Sequence, residues 1–249
     1  MRHFKLRVLA LILSTASSLF ARESGESDWV DLFNGTNYDG WRGPKSDEFP
    51  VRSWTITNGE LWVVSSGNAE AQAGGDIITH RRYSNFELTA DFKLTTGCNS
   101  GIKIFVQPKF SPIDKTTGKP TGVGSAIGME FQILDDEHHP DAKLGRNGDR
   151  TIGSLYDLIP ASKDKKVMPI GEWNHARIVS QGKHVEFWLN GQKTVDFERG
   201  SGEFRAAVAQ SKFKNIHDFG EWDDGHILLQ EHGSTVGFRN IKLRELPPK

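Results

Sequence analysis

The chain has 249 residues, and its 31 lysines and arginines against 32 aspartates and glutamates give a formal net charge of −1. This balance excludes a generally basic nucleic-acid-binding protein, so we expect no nucleic acid among its partners. The single Cys98 excludes an internal disulfide framework, and stability must therefore come from packing.

The chain begins with the features of a secretory signal peptide, which we place at residues 1–21. Basic residues precede a short apolar stretch, VLALILSTASSLFA, that ends in small residues. This stretch is shorter than a typical transmembrane helix, and no later stretch is apolar enough to cross a bilayer. We therefore expect an exported bacterial protein, periplasmic or secreted, with cleavage after Ser18 or Ala21.

The first half of the mature chain is predicted to consist of strands. WTITNGELWVV indicates a hairpin around Asn58-Gly59, because Asn-Gly suits a two-residue turn with positive φ. NFELTADFKLT alternates apolar and polar residues, which is the period of a half-buried antiparallel strand. GIKIFV and GMEFQIL predict two further strands.

The second half continues in the same way. ARIVSQGKHVEFWLNGQKTVDF predicts three strands that turn near residues 181–183 and at Asn190-Gly191, and GHILLQEHG and STVGFRNIKLREL predict the last two. Helical periodicity is nowhere sustained, and many short strands indicate a sandwich or barrel. Long loops are expected at 107–125 and 135–151. Without a repeat or a linker, we predict a single domain over residues 28–246.

Alternation assigns polar and aromatic side chains to the outward faces of four strands. Strand by strand these are Lys103 and Phe105; Glu130 and Gln132; His226, Leu228, Gln230 and His232; and His184, Glu186 and Trp188. If their strands are neighbours, Lys103, Glu130, Gln132, Gln230 and His232 form one surface, here called the polar platform. Flanked by long loops, it would suit a carbohydrate cleft. The alternative is an ordinary solvent-facing sheet.

The run DDEHH (residues 135–139) offers possible metal ligands. Consecutive residues of an extended chain point in alternate directions, so only some of them can converge. Their spacing matches neither a zinc signature nor an EF-hand loop. We therefore predict a polar loop and no cofactor, with a divalent metal as the alternative. His138 or His139 is a candidate proton-transfer group near neutral pH.

Other enzyme signatures give little direction. The sequence contains neither a G-x-S-x-G elbow nor a phosphate-binding glycine loop. A paired-carboxylate glycosidase stays open, with Glu130 and Asp136 as the candidate pair.

Several segments of the chain together resemble one protein family. These segments are WVDLFNGTNYDGWRG, NSGIKIFV, GMEFQILDDEHHPDAKLG, GSLYDLI, GEWNHARIV, VEFWLNG and LLQEHGSTVGFRNIKLREL. The chain is similar, from about Asp28 to Leu246, to the 3-keto-disaccharide hydrolase family, formerly a domain of unknown function. The resemblance implies a concanavalin A-like jelly-roll sandwich of two antiparallel sheets. It also implies activity on glycosides oxidised at C3, as a 3-keto-glycoside lyase or hydrolase.

Such chemistry needs a base at C2, a group that stabilises the enolate, and an acid for the leaving group. Glu130, His232 or a histidine of the DDEHH run is the candidate base. Lys103 is placed at the oxyanion, and Tyr156 donates a proton or binds the sugar. The expected substrate-binding residues are Gln132, Gln230, Arg239, His138, Asp136 and, as a stacking platform, Trp188.

The substrate implied is an oxidised glycoside or disaccharide. A separate sugar 3-dehydrogenase would supply it, because no dinucleotide-binding motif occurs in this sequence. Lyase, hydratase and hydrolase chemistry stay open. The alternatives are a non-catalytic carbohydrate-binding module and an ordinary glycosidase of the same fold, since fold alone does not determine function.

Overall fold

The computed structural model describes residues 29–67, 75–110 and 125–249. The predicted signal peptide and most of the predicted loop 107–125 lie outside the described residues. The strands are β1 (Val30–Asp31), β2 (Trp41–Arg42), β3 (Trp54–Thr57), β4 (Glu60–Val63), β5 (Ile77–Thr79), β6 (Phe86–Lys93), β7 (Asn99–Gln107), β8 (Ile127–Leu134), β9 (Trp173–Gln181), β10 (His184–Leu189), β11 (Gln192–Glu198), β12 (His226–Leu229) and β13 (Gly237–Glu245).

These strands form two antiparallel sheets. The larger, eight-stranded sheet has the order β11-β10-β9-β6-β13-β4-β3, with β1 paired to β13. The five-stranded sheet has the order β2-β5-β12-β7-β8. The predicted all-β, concanavalin A-like jelly-roll sandwich is confirmed. Within the described ranges, no helix combines the length and the apolar character that crossing a bilayer requires.

The hydrophobic core lies between the sheets. β6 contributes alternate residues such as Phe86 and Phe92, and β8 contributes Met129, Phe131 and Ile133, all fully buried. The rings of Phe92 and Phe131 meet edge to face across the core, with centroids 6.3 Å apart. The period-two patterns of these strands therefore predicted their core faces correctly.

Both predicted Asn-Gly hairpins are present. Asn58 and Gly59 have φ of 53° and 78°, and Asn190 and Gly191 have φ of 49° and 80°. Positive φ at both central residues matches the twist of the flanking strands.

Phe105 lies on the face opposite to the one predicted. A register shift between Ile104 and Gln107 forms a bulge, and Phe105 has φ of 54°. The extra residue turns Phe105 into the core, 6.1 Å from the ring of Phe86, and leaves Val106 on the outer face. The predicted faces of Phe105 and Val106 were wrong because strict alternation does not anticipate a bulge.

One α-helix that the sequence patterns did not reveal lies among the described residues, α1 (Gly202–Gln210). Ser201 caps it by accepting a hydrogen bond from the Phe204 amide at 3.1 Å. Phe204 is buried and stacks on Phe197 of β11, with centroids 5.6 Å apart. A helix with a single anchoring residue lacks the apolar stripe by which helices are recognised.

Candidate active site

The polar platform lies on the outer face of the five-stranded sheet. Lys103 of β7 is the register partner of Glu130 on β8 and of Leu228 on β12. Gly101 of β7 is the partner of Gln132 on β8. Register partners point to the same face, so neighbouring strands bring these side chains together as the sequence suggested.

Four of the five platform residues are buried and His232 is half-buried, so the platform is not the ordinary solvent-facing sheet of the alternative prediction. Glu130 is 5%, Lys103 6% and Gln132 1% exposed. Nε2 of Gln132 donates to Oδ1 of Asn99 at 3.3 Å, while its Oε1 accepts no hydrogen bond from the described residues. A buried polar group without a partner is costly, so this oxygen is a candidate acceptor for a substrate hydroxyl.

Glu130 and Lys103 form an ion pair with polar support. Lys103 Nζ lies 3.7 Å from Glu130 Oε2 and donates to Ser125 Oγ at 2.5 Å. Ser125 in turn donates to Asp76 Oδ2 at 2.5 Å. The side-chain amide of Gln230 is oriented with its nitrogen towards Glu130 and its oxygen towards Lys103. It then donates to Glu130 Oε1 at 3.2 Å and accepts from Lys103 Nζ at 3.3 Å. The carboxylate is therefore held from two sides.

Gly101 leaves the space that the Glu130 carboxylate occupies. A Cβ at position 101 would lie 2.8 Å from both Cγ and Cδ of Glu130, closer than non-bonded carbons approach. A glycine inside a strand often marks such a close approach.

The chain after β8 returns to the free edge of that strand. Gly153 N donates to Gln132 O at 2.8 Å, and Gln132 N donates to Ser154 O at 3.1 Å. Tyr156 N donates to Glu130 O at 3.0 Å. This pairing brings Tyr156, a candidate proton donor or sugar-binding residue, beside Glu130.

Tyr156 belongs to a charged network beside Glu130. Its hydroxyl donates to Asp141 Oδ2, and Arg150 donates to Asp141 Oδ1, both at 2.8 Å. Arg150 also donates to Asp157 Oδ1 at 2.7 Å, and Asp157 Oδ2 accepts from the Lys212 amide at 2.7 Å. Burial and the hydrogen bond to Asp141 raise the pKa of Tyr156. The phenol stays protonated, and its proton is directed at Asp141.

Two imidazoles meet at the same site. The rings of His139 and His232 lie edge to face with centroids 6.4 Å apart. Burial, together with the charge of His232, lowers the pKa of His139 against the opposing effect of Asp141 and Asp135. Nδ1 of His139 accepts from the Asp141 amide at 3.2 Å, so the proton of the neutral ring is on Nε2.

The surroundings of Glu130 raise its affinity for a proton. Burial raises the pKa of Glu130, and the nearby Asp76 raises it further. The positive charges of Lys103, Lys212 and His232 oppose this rise. A carboxyl group with raised pKa is a stronger base when ionised, which suits proton abstraction near neutral pH.

Two acids and one histidine of the DDEHH run organise its loop. Asp135 accepts from the Gly97 amide at 2.7 Å and contacts His138 Nδ1 at 2.8 Å. Asp136 accepts from the Ile152 amide at 2.7 Å and from Lys165 at 2.8 Å. The structure thus brings His139 towards His232 and leaves His138 and Asp136 in the loop framework.

Trp188 and Arg239 lie on the other sheet. Trp188 of β10 donates to Glu186 on the outward face at 2.9 Å. Arg239 of β13 donates to Asp91 of β6 at 3.2 Å, and its guanidinium lies 4.1 Å from the ring centroid of Trp173. The hydrophobic core separates this face from Glu130, so the structure does not join these two residues to the site.

A possible metal-ligating group among the described residues lies on this outer face and not in the DDEHH run. Ligand atoms of His184, Glu186 and Asp196 lie within 4.8 Å of one another. Lys193 already occupies this position, because its ammonium contacts Glu186 at 3.2 Å and Asp196 at 2.5 Å. We assign no metal to it.

Lys212 is among the residues of this site that sequence reasoning missed altogether. It follows α1, and its Nζ lies 4.2 Å from the ring centroid of Tyr156. No local sequence pattern predicts that Lys212 lies at the site, because its position depends on the path of the chain from β11 to β12. Gly101, in contrast, carried a signal, since a glycine inside a strand suggests a close approach.

Comparison with known proteins agrees with this architecture. A family model described as the 3-keto-alpha-glucoside-1,2-lyase-like domain matches residues 28–244. A 3-keto-disaccharide hydrolase from Bacteroides thetaiotaomicron is 34% identical over 230 residues, which cover 88% of this chain and 78% of that protein.

Two crystal structures of candidate glycosyl hydrolases from Parabacteroides distasonis are also similar. One has a TM-score of 0.69 at 28% identity, covering 88% of this chain and 94% of the other. The second has a TM-score of 0.63 at 30% identity, covering 88% and 100%. These similarities place the chain among carbohydrate-active enzymes. Because the family model spans nearly all of the described structure, the chain belongs to the 3-keto-alpha-glucoside-1,2-lyase-like family.

Proposed function

We propose that this protein cleaves 3-keto-glycosides by removing the proton on C2 and expelling the substituent on C1. The observation that carries the proposal is Glu130, a buried carboxylate whose pKa is raised and which lies among positive charges. A ketone at C3 makes the C2 proton acidic, because the resulting carbanion is delocalised as an enolate. The site supplies a base and positive charge together, which this reaction requires.

Glu130 is the proposed base. Its ion pair with Lys103 and the amide of Gln230 fix the carboxylate, and Gly101 leaves room for it. When C2 loses its proton, negative charge develops on the C3 oxygen. We assign Lys103 and Lys212 the role of supplying positive charge to this enolate, and the burial of Lys103 strengthens its effect.

The imidazole pair is the proposed acid for the leaving group. Neutral His139 carries its proton on Nε2, and His232 faces it edge on. A neutral imidazole is too weak an acid for this step, so we assign the step to the imidazolium form of His232. Protonation of the C1 oxygen by this group completes the elimination and leaves a 2-hydroxyglucal with the ketone at C3. Gln132 and Gln230 are the proposed hydroxyl-binding residues, because the Oε1 of Gln132 accepts no bond from the described residues.

Addition of water across the new C1–C2 double bond would return the free keto sugar, so that elimination and hydration together amount to hydrolysis. We propose that the enzyme is exported, since a signal-like segment precedes the domain, and that it works without a metal. The substrate must come from an enzyme that oxidises the C3 hydroxyl of a glycoside, as a sugar 3-dehydrogenase does.

The test compares a 3-keto-glucoside with its unoxidised parent. We expect release of the aglycone from the keto compound alone. Glu130→Gln and His232→Ala should each lower turnover by about 100-fold or more, the usual contribution of acid–base catalysis. His138→Ala is the matched control and should keep wild-type turnover, because His138 contacts Asp135 in the loop.

Other outcomes favour other functions. Release from the parent glucoside at a similar rate would indicate an ordinary glycosidase. Binding of either sugar without turnover would indicate a carbohydrate-binding module. Wild-type turnover in both the Glu130 and the His232 variants, each shown to be folded by circular dichroism, would remove these residues from the reaction.

A further inference from the structure

Lys212 differs from the other lysine of the site. Lys103 is buried and committed to Glu130 and Ser125. Lys212 is exposed, and its Nζ lies 4.2 Å from the ring centroid of Tyr156 and 5.2 Å from that of Phe213. Its ammonium makes no ion pair with a carboxylate of the described residues. Lys212 is therefore the amine of this site that a ligand can reach.

The backbone fixes the starting point of this side chain. The Lys212 amide donates to Asp157 Oδ2 at 2.7 Å, and Asp157 is held by Arg150. Tyr156, whose ring lies below the amino group, pairs through its amide with the Glu130 carbonyl. Lys212 and Glu130 therefore both lie beside Tyr156, close enough for the charge of each to shift the pKa of the other.

The electrostatic setting of Lys212 weakens its affinity for a proton. Surrounding protein lowers the pKa of Lys212, and the positive charges of Lys103 and Arg150 lower it further against the opposing effect of Glu130 and Asp157. A lysine that is partly desolvated and close to another cation is the type that attacks carbonyl groups.

We propose that Lys212 condenses with the C3 ketone of the substrate and forms a covalent imine. This inference rests on the proposed function, because it needs a keto sugar in the site. It assigns Lys212 a catalytic role that an ammonium group acting only through its charge would not have.

The steps balance without a further reagent. The Lys212 amine adds to C3, and loss of one water together with uptake of one proton from solvent gives a protonated imine. Glu130 takes the C2 proton, and the electron pair of that bond moves into an enamine. The enamine expels the C1 oxygen, which receives a proton from the His232 imidazolium, and the imine re-forms. One water then hydrolyses it, which releases the unsaturated ketone and Lys212.

Trapping by hydride tests this step. The probe is 3-keto-1,5-anhydroglucitol, which has the ketone but no leaving group at C1, with sodium cyanoborohydride as the reductant. We expect one adduct, with the mass of the probe less one oxygen atom, on Lys212 by peptide mapping. Unoxidised 1,5-anhydroglucitol should give none.

Two variants separate covalent from electrostatic action. Lys212→Arg keeps the positive charge but cannot form the imine, so we expect no adduct and turnover lowered on the order of 100-fold. Lys242→Arg changes an exposed lysine that pairs with Asp31 at 3.5 Å, and it should label and turn over like the wild type.

The outcomes are distinct. Wild-type turnover of a 3-keto-glucoside without a trapped adduct, an adduct on another lysine, or full turnover by folded Lys212→Arg would overturn the imine and leave the proposed function standing. Wild-type protein that cleaves only the unoxidised glucoside would overturn both.

Discussion

Replacing Gly101 by alanine tests whether the position of the Glu130 carboxylate matters for the reaction. The added Cβ would lie 2.8 Å from Cγ and Cδ of Glu130. Carbon atoms in contact are about 3.5–4.0 Å apart, so the carboxylate has to move by about 1 Å. Gly101 is not in the left-handed region, so its backbone accepts alanine.

Gly101→Ala should lower the reaction rate and leave the stability of the protein nearly unchanged. A misplacement of about 1 Å lowers a rate by on the order of 100-fold. This corresponds to about 2.7 kcal/mol of transition-state stabilisation. Shifting the carboxylate costs some folding energy, but alanine also restricts the unfolded chain, which contributes about 0.4–1 kcal/mol in the opposite direction. We therefore expect a free energy of unfolding within about 1 kcal/mol of the wild type.

The assay is kcat/KM for aglycone release from a 3-keto-glucoside, together with thermal unfolding. Gly202→Ala is the matched control, because nothing lies within 4 Å of its added Cβ at the start of α1. It should keep wild-type kcat/KM. If folded Gly101→Ala also kept wild-type kcat/KM, the reacting base could not be the carboxylate that lies over Gly101.

Three further predictions concern pH, metal and stability. In a pH profile of kcat/KM, the fall in activity on the acid side should lie above the pH at which an ordinary glutamate titrates. The reason is that the base must be ionised and that burial raises the pKa of Glu130. Dialysis against EDTA should leave turnover unchanged, and loss restored by a divalent metal would contradict this. Arg199→Met should lower the free energy of unfolding by roughly 3 kcal/mol in urea, since buried Arg199 donates to three backbone carbonyls. Arg205→Met, its control, removes a pair with Glu221 that is 63% exposed on the arginine side and should cost less than about 1 kcal/mol.

The sequence predicted the sheets better than it predicted the irregular parts of the chain. Alternation over β6 and β8 and the Asn-Gly turns are local signals, because side-chain direction and turn geometry depend on a few adjacent residues. The bulge at Phe105 and the helix α1 escaped because both are fixed by packing. Phe105 turns to meet Phe86 in the core, and α1 is held chiefly through Phe204.

The candidate site follows the same division. Lys103, Glu130 and Gln132 could be proposed from the alternation of two strands, and the pairing of those strands brings them together. The sequence could not predict the role of Lys212, nor could it show that His139 and not His138 lies at the site. Both depend on how the chain after β8 and the chain after α1 fold back over the sheet, and no local pattern encodes such long-range contacts.

That return of the chain changes what the polar platform can do. On an open sheet, Glu130 would be solvated and would titrate like any surface carboxylate. In the folded protein Glu130 is buried, and this desolvation is the main reason for its raised pKa. The chain after β8 lies beside it, because Gly153 and Tyr156 pair with the backbone of that strand. The same segment places Tyr156 under Lys212. The strands therefore supply Glu130 and Lys103, whereas the chain outside the strands supplies the two imidazoles and Lys212, which the proposed chemistry also requires.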